Sequence, residues 1–138
     1  MTSEFAIAVH ALVFLNHKKE SKSSEEIAKN VCTHPARIRK VMGSLKKAGL
    51  VNTKEGIDGG YSFELEAYSV TLRRVCEALE VKLVSATWRS GSSDLACLIA
   101  SGMADVMDEI YGDLDHLCRE RLAQITIGQI DQKIFGKV

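Results

Sequence analysis

SEEIAKNVCTHPARIRKVMGSLKKAGLVNTKEGIDGGYSFEL, residues 24–65, holds two helical patterns, a basic surface and a glycine-rich hairpin in immediate succession. Ser23 followed by Glu26 has the spacing of a capping box, so a helix is expected from Ser23 or Ser24, with Ile27, Ala28 and Val31 as its short apolar face. Cys32-Thr33 reads as a tight turn. A further helix is expected from about His34 to Ala48. Pro35 fits its first turn, where N–H groups have no helical partner, and Gly49 stops it. Ile38, Val41, Met42 and Leu45 recur at helical spacing and should face inward. The reading places Arg37, Lys40, Ser44 and Lys47 on the opposite face, with Arg39 and Lys46 at its edges. Leu50–Thr53 and Tyr61–Leu65 are strand candidates around the tip Gly56-Ile57-Asp58-Gly59-Gly60.

Helix, tight turn, basic helix and glycine-tipped hairpin describe a winged helix-turn-helix. The second helix of such a motif lies in the major groove while the first braces it. Arginine suits guanine edges; lysine and serine suit phosphate. The expected DNA-binding set is therefore Ser24, Thr33, His34, Arg37, Arg39, Lys40, Ser44 and Lys47, with Lys54, Gly59, Gly60 and Tyr61 from the wing.

Outward from this stretch, Ser3 is expected to cap a helix reaching about His17, and Thr71–Glu80 forms another around Leu72, Val75, Cys76 and Leu79. Ser85–Ser93 reads as a linker. From about Leu95 to Ile125 an apolar stripe, Ile99, Met103, Val106, Ile110, Leu114 and Leu117, marks a long element interrupted by Gly102 and Gly112. A helix of ~30 residues is about 45 Å long, more than a small domain needs, and implies pairing with a second copy. Thr126 caps a last short helix through Ile127, Ile130 and Ile134. The fold class is mainly α with a small β-hairpin wing. The expected division is 1–84 for the DNA-binding domain, 85–94 for a linker, and 95–138 for the dimerisation helix and the final short helix.

The 138 residues carry no net charge, yet residues 1–56 hold ten Lys/Arg against five Glu, and the remainder is acidic by the same margin. The basic half coincides with the motif, as nucleic-acid binding requires. The apolar run Phe5–Leu15 is too short to span a bilayer and contains His10, so no membrane association is expected. Cys32, Cys76, Cys97 and Cys118 form no C-x-x-C pair, which points to free thiols and a cytoplasmic setting. An enzyme is not expected. There is no phosphate-cradling loop after a strand and no nucleophile–base pairing.

Glu26-Ile27-Ala28, Leu45-Lys46-Lys47-Ala48-Gly49-Leu50-Val51 and Gly56-Ile57-Asp58-Gly59-Gly60-Tyr61, with the spacing between the last two, resemble the Rrf2 family of bacterial regulators. The resemblance implies a homodimer with crossed long helices, a partly palindromic operator in double-stranded DNA, and, by analogy, repression. Many members hold an iron–sulfur cluster on three cysteines near the start of the long helix. Residues 85–105 offer only Cys97, so no family-type cluster and no other metal is expected. Glu55 stands where many relatives carry a basic residue, which weakens the expected wing contact.

Cys76 and Cys118 lie on apolar stripes and read as inert. Cys32, in the turn before the recognition helix, and Cys97, near the start of the long helix, are candidates for oxidation that moves the reading heads. The alternative is the same fold answering to a small-molecule effector or a protein partner, with no thiol switch.

Overall fold

The first helix, α1 (Ser3–Lys18), buries Ile7, Ala8, Ala11, Leu12 and Leu15 along one side, the spacing of a helix seated against several others. Ser3, expected as its cap, lies inside the helix, and its hydroxyl accepts from the Arg37 guanidinium. The computed structural model describes residues 3–57 and 59–136. Among these, α1 is followed by α2 (Ser24–Val31), α3 (Pro35–Lys47), β1 (Asn52–Lys54), β2 (Gly60–Ser62), α4 (Leu72–Leu79), α5 (Leu98–Leu122) and α6 (Ile127–Phe135). The tip residue Asp58 lies outside the described residues.

Local chemistry accounts for the helix ends. The Glu26 N–H donates to Ser23 Oγ, and the Ser23 N–H donates to Glu26 Oε1, each at 3.1 Å. His34 caps α3, its Nδ1 accepting from the Ala36 N–H at 3.1 Å, with Pro35 next in line. Thr126 and Gln129 form a second capping box at α6. Between β2 and α4 the chain adds a 3-10 turn, Ala67–Ser69, that sequence periodicity did not indicate.

The two strands pair antiparallel with Asn52 opposite Ser62, Thr53 opposite Tyr61 and Lys54 opposite Gly60. The first expected strand begins too early and the second ends too late. Leu50 and Val51 are both buried in the core, as is Phe63, so consecutive side chains there serve packing rather than alternation across a sheet. A third segment joins the wing: Lys22 and Tyr61 exchange backbone hydrogen bonds of 2.9 and 2.8 Å.

Helix α6 folds back against α1 and the 3-10 turn, with Ile127 in the core and the Phe135 ring stacked 3.5 Å from His17. It therefore packs with the N-terminal body, whereas sequence grouped it with the long helix. The Ile127 N–H donates to the Val70 carbonyl, and the Leu72 N–H donates to the Ile125 carbonyl, tying α6 to the start of α4.

Helix α5 is shorter than the expected Leu95–Ile125 and runs unbroken through Gly102 and Gly112, both on open helix surface. It has no buried residue in the isolated chain. Residues 81–89 are strapped along one side of it. Leu83 and Val84 N–H donate to Asp115 Oδ1 at 2.6 and 2.9 Å, while Arg119 donates to the Val81 carbonyl at 2.6 Å and to Asp115 Oδ2 at 2.9 Å. Further along, Arg89 bridges Asp105 and Asp108 at 2.9 and 2.7 Å. Trp88 stands mostly exposed in this strap, beside Met107 and Tyr111.

Burial alone would raise the Asp115 carboxyl, but the Arg119 hydrogen bond and the two backbone donors hold it below the ordinary carboxylate range. A carboxyl depressed in the folded state stabilises fully above its unfolded pKa, near 3.8, and that contribution is lost as pH falls through the lower folded value. Asp115→Asn is expected to lower stability by about 1–2 kcal/mol at neutral pH, because the Arg119 head loses its ionic partner. Urea melts at pH 7 and pH 3 check this: the gap between the two proteins should narrow at the acid end. An equal gap at both pH values would remove the charge from the explanation.

Candidate nucleic-acid interface

Ile38, Val41, Met42 and Leu45 of α3 are buried, so the rest of the helix is turned by geometry. At about 100° per residue, the line opposite that face runs through Ala36, Lys40, Gly43 and Lys47. Arg37 and Ser44 lie on the flank toward α1, where Ser44 is half-buried; Arg39 and Lys46 lie on the flank toward α2. This refines the expected face, which grouped Arg37 and Ser44 with Lys40 and Lys47. Sequence reading passed over Ala36 and Gly43. Both are exposed, and a Cβ at Gly43 would meet nothing within 4 Å, so the helix backbone is open to close approach there.

The cations are partly engaged within the chain. Lys40 Nζ pairs with Glu4 Oε1 at 2.9 Å. Arg39 reaches Ser24 Oγ at 3.4 Å and Glu25 Oε1 at 3.9 Å, which gives Ser24 a place beside α3. Lys22, one of the positive residues of the basic half, is enclosed by Glu20 at 2.6 Å and Glu26 at 3.6 Å, and the Glu20 bond holds its ammonium above the usual range. Charge counting therefore overstates what faces outward. Lys29, Lys46, Lys47 and Lys54 are exposed. Thr33 is half-buried in the turn, and His34 is exposed but engaged as the α3 cap.

The wing residues divide. Lys54 and Glu55 are exposed. Tyr61 packs against the core. A Cβ on Gly59 would meet the Lys54 carbonyl oxygen at 2.2 Å, and one on Gly60 the Lys22 carbonyl oxygen at 2.3 Å. These two glycines thus have a packing role in the hairpin itself. Ile57, at the tip, is fully exposed; an apolar residue between glycines was the available signal for it.

The thiols occupy different settings. Cys76 is buried, its thiol pushed above the ordinary range by that burial and donating to the Val81 carbonyl. Cys97 is exposed at the α5 N-cap, where the Ala100 and Ile99 N–H groups hold its thiol below the ordinary range. Cys32 is exposed but caps the carbonyl end of α2, its Sγ directed to the Lys29 carbonyl at 3.7 Å. The expected setting against the N–H groups of α3 is replaced by carbonyls. Cys118 is half-buried.

The start of α5 supplies one thiol, and among the described residues no three His, Cys, Asp or Glu side chains stand together. No helix of the described residues is long and apolar enough to cross a membrane.

Two apolar faces remain open. Ile99, Met103, Val106, Ile110, Leu114 and Leu117 are 40–71 % exposed along α5. Their steps of four, three and four repeat every eleven residues, a period close to that of a straight helix. Between α1 and α6 lies a groove of about 750 Å³, lined by Phe5, Val9, Phe14, Ile130, Ile134 and Phe135 among others.

Residues 1–133 match the profile of the Rrf2 family, described as an iron-dependent transcriptional regulator. YwnA of Bacillus subtilis (strain 168), provisionally named an HTH-type transcriptional regulator, is 24% identical over 135 residues, 98% of this chain and 99% of its own. The HTH-type transcriptional regulator IscR of Vibrio cholerae is 25% identical over 132 residues, 94% of this chain and 73% of its own. A crystal structure of a provisionally assigned transcriptional regulator from Lactobacillus plantarum superposes with a TM-score of 0.80 at 22% identity, covering 97% of this chain and 91% of that one.

Proposed function

The chain belongs to the Rrf2 family of transcriptional regulators, and from that premise we propose that it represses transcription as a homodimer on a partly palindromic DNA operator. The observation that carries the reading is the outer face of α3, with Lys40 and Lys47 on its midline, Arg39 and Lys46 beside them and bare backbone at Gly43. A helix so equipped can sit deep in the major groove, its lysines on phosphate and its arginines toward base edges. The exposed α5 stripe supports the homodimer, since an apolar row of this length is covered in solution by a partner.

The regulator works without a family-type cluster. Its signal is oxidation of the exposed thiols Cys97, at the N-terminus of α5, and Cys32, at the carbonyl end of α2. A second reading, a small apolar effector, is favoured by the α1–α6 groove, whose volume lies in the range of small-molecule sites.

Fluorescence anisotropy with the DNA upstream of the gene, titrated with salt and repeated after mild peroxide treatment, tests these together. Binding should weaken steeply with salt, by roughly 0.9 log units per log unit of salt for each phosphate contact, and should be lost on oxidation in wild type but not in Cys97→Ser. Salt-dependent binding indifferent to peroxide would replace the thiol switch with the effector. Binding indifferent to salt would remove the DNA reading itself.

A further inference from the structure

The cations of α3 are held from both flanks, but not equally. On the α2 side the Arg39 contacts are long, and Glu25 stands largely in solvent. On the α1 side the Lys40–Glu4 pair is short, at 2.9 Å. Glu4 is the more enclosed member, its side chain 30% exposed against 75% for Lys40. It sits in the first turn of α1, where unpaired backbone N–H groups favour a carboxylate. Beside it, Ser3 takes the Arg37 guanidinium. A cation placed on the midline of the reading face is thus already paired with a carboxylate anchored in the body.

We propose that Glu4 acts as a competitor for DNA, withholding Lys40 from the phosphates of non-cognate duplexes and so weakening binding to bulk DNA. The inference rests on the DNA-binding reading above. Binding to arbitrary sequence is almost wholly phosphate neutralisation, so its strength follows the number of free cations. A phosphate that draws Lys40 away leaves the Glu4 carboxylate unpaired beside a polyanion. Loosely docked DNA offers nothing to offset this. At an operator the helix is seated by base contacts, and the exchange is supported by its depth.

The test is binding to a random-sequence 20-base-pair duplex across a salt series for wild type, Glu4→Gln, Lys40→Met and the double variant. Glu4→Gln should bind about 5-fold tighter at 0.15 M salt, with a log–log salt slope steeper by about 0.9, the signature of one added phosphate contact. Lys40→Met alone should leave the wild-type slope unchanged, and the double variant should match it. A Glu4→Gln variant that merely folded poorly would bind less, so the expected gain separates the proposal from a structural effect. If wild type binds with a clear salt slope and Glu4→Gln keeps that slope, the proposal fails while the DNA reading stands. A loss of slope in Lys40→Met alone would overturn it too, since Lys40 would already be on the phosphates. No salt-dependent binding by any of the four proteins would overturn both.

Discussion

Ile110→Asp should turn the protein into a folded monomer whose operator affinity falls by two or more orders of magnitude. Ile110 lies midway along the α5 stripe and is 45% exposed in the single chain. In a two-fold pair the substitution enters twice. Each carboxylate would have to leave water for an apolar seam at a cost of several kcal/mol, while the isolated fold loses little. Two linked reading heads gain a factor of about 10²–10⁴ over one through effective concentration, and a monomer forfeits that gain. Light scattering after size exclusion gives the mass and far-UV circular dichroism gives the fold. A variant that stays dimeric would take α5 out of the interface.

Gly60→Val should destabilise the domain by about 3–5 kcal/mol, a large part of the stability of an ordinary domain. Gly60 has φ +144°, outside the reach of a β-branched residue, at a typical cost of 1–3 kcal/mol. An added Cβ would also stand 2.3 Å from the Lys22 carbonyl oxygen and 2.5 Å from its carbon, backbone atoms that cannot swing aside. The two Lys22–Tyr61 hydrogen bonds would have to open, at roughly 1 kcal/mol each. Urea denaturation measures the loss. A change under 1 kcal/mol would mean that the wing is not held by the segment before α2.

The features legible in sequence are those whose causes are local. The Ser23–Glu26 capping box and the Thr126 cap act over three residues, and the inward row of α3 needs only helical period. What sequence missed depends on distant neighbours. Leu50 and Val51 resembled a strand until the core buried both. Gly60 was assigned to DNA because the constraint upon it, the Lys22 backbone, lies 38 residues earlier and is visible only once the wing folds back. Arg37, Lys40, Ser44 and Lys47 were grouped on one face of α3, whereas the line opposite its buried row runs through Lys40 and Lys47 and leaves Arg37 and Ser44 on a flank. The partners Ser3 and Glu4 belong to another helix altogether. For Gly102 and Gly112, helix interruption was expected from propensity, yet α5 stays continuous.

The Asp115–Arg119 clamp joins the body to α5 at one end of a rod of about 37 Å. In the proposed homodimer that joint would act as the fulcrum of a caliper whose jaws are the two α3 helices. A tilt of 10° at the fulcrum moves the far end of the rod by about 6 Å, nearly two steps of a duplex with 3.4 Å between bases. On the proposed operator, the half-site spacing that such a caliper accepts would be set by a carboxylate, a guanidinium and three backbone groups. Loosening them would blur the tolerated spacing while leaving the letters read by each jaw unchanged.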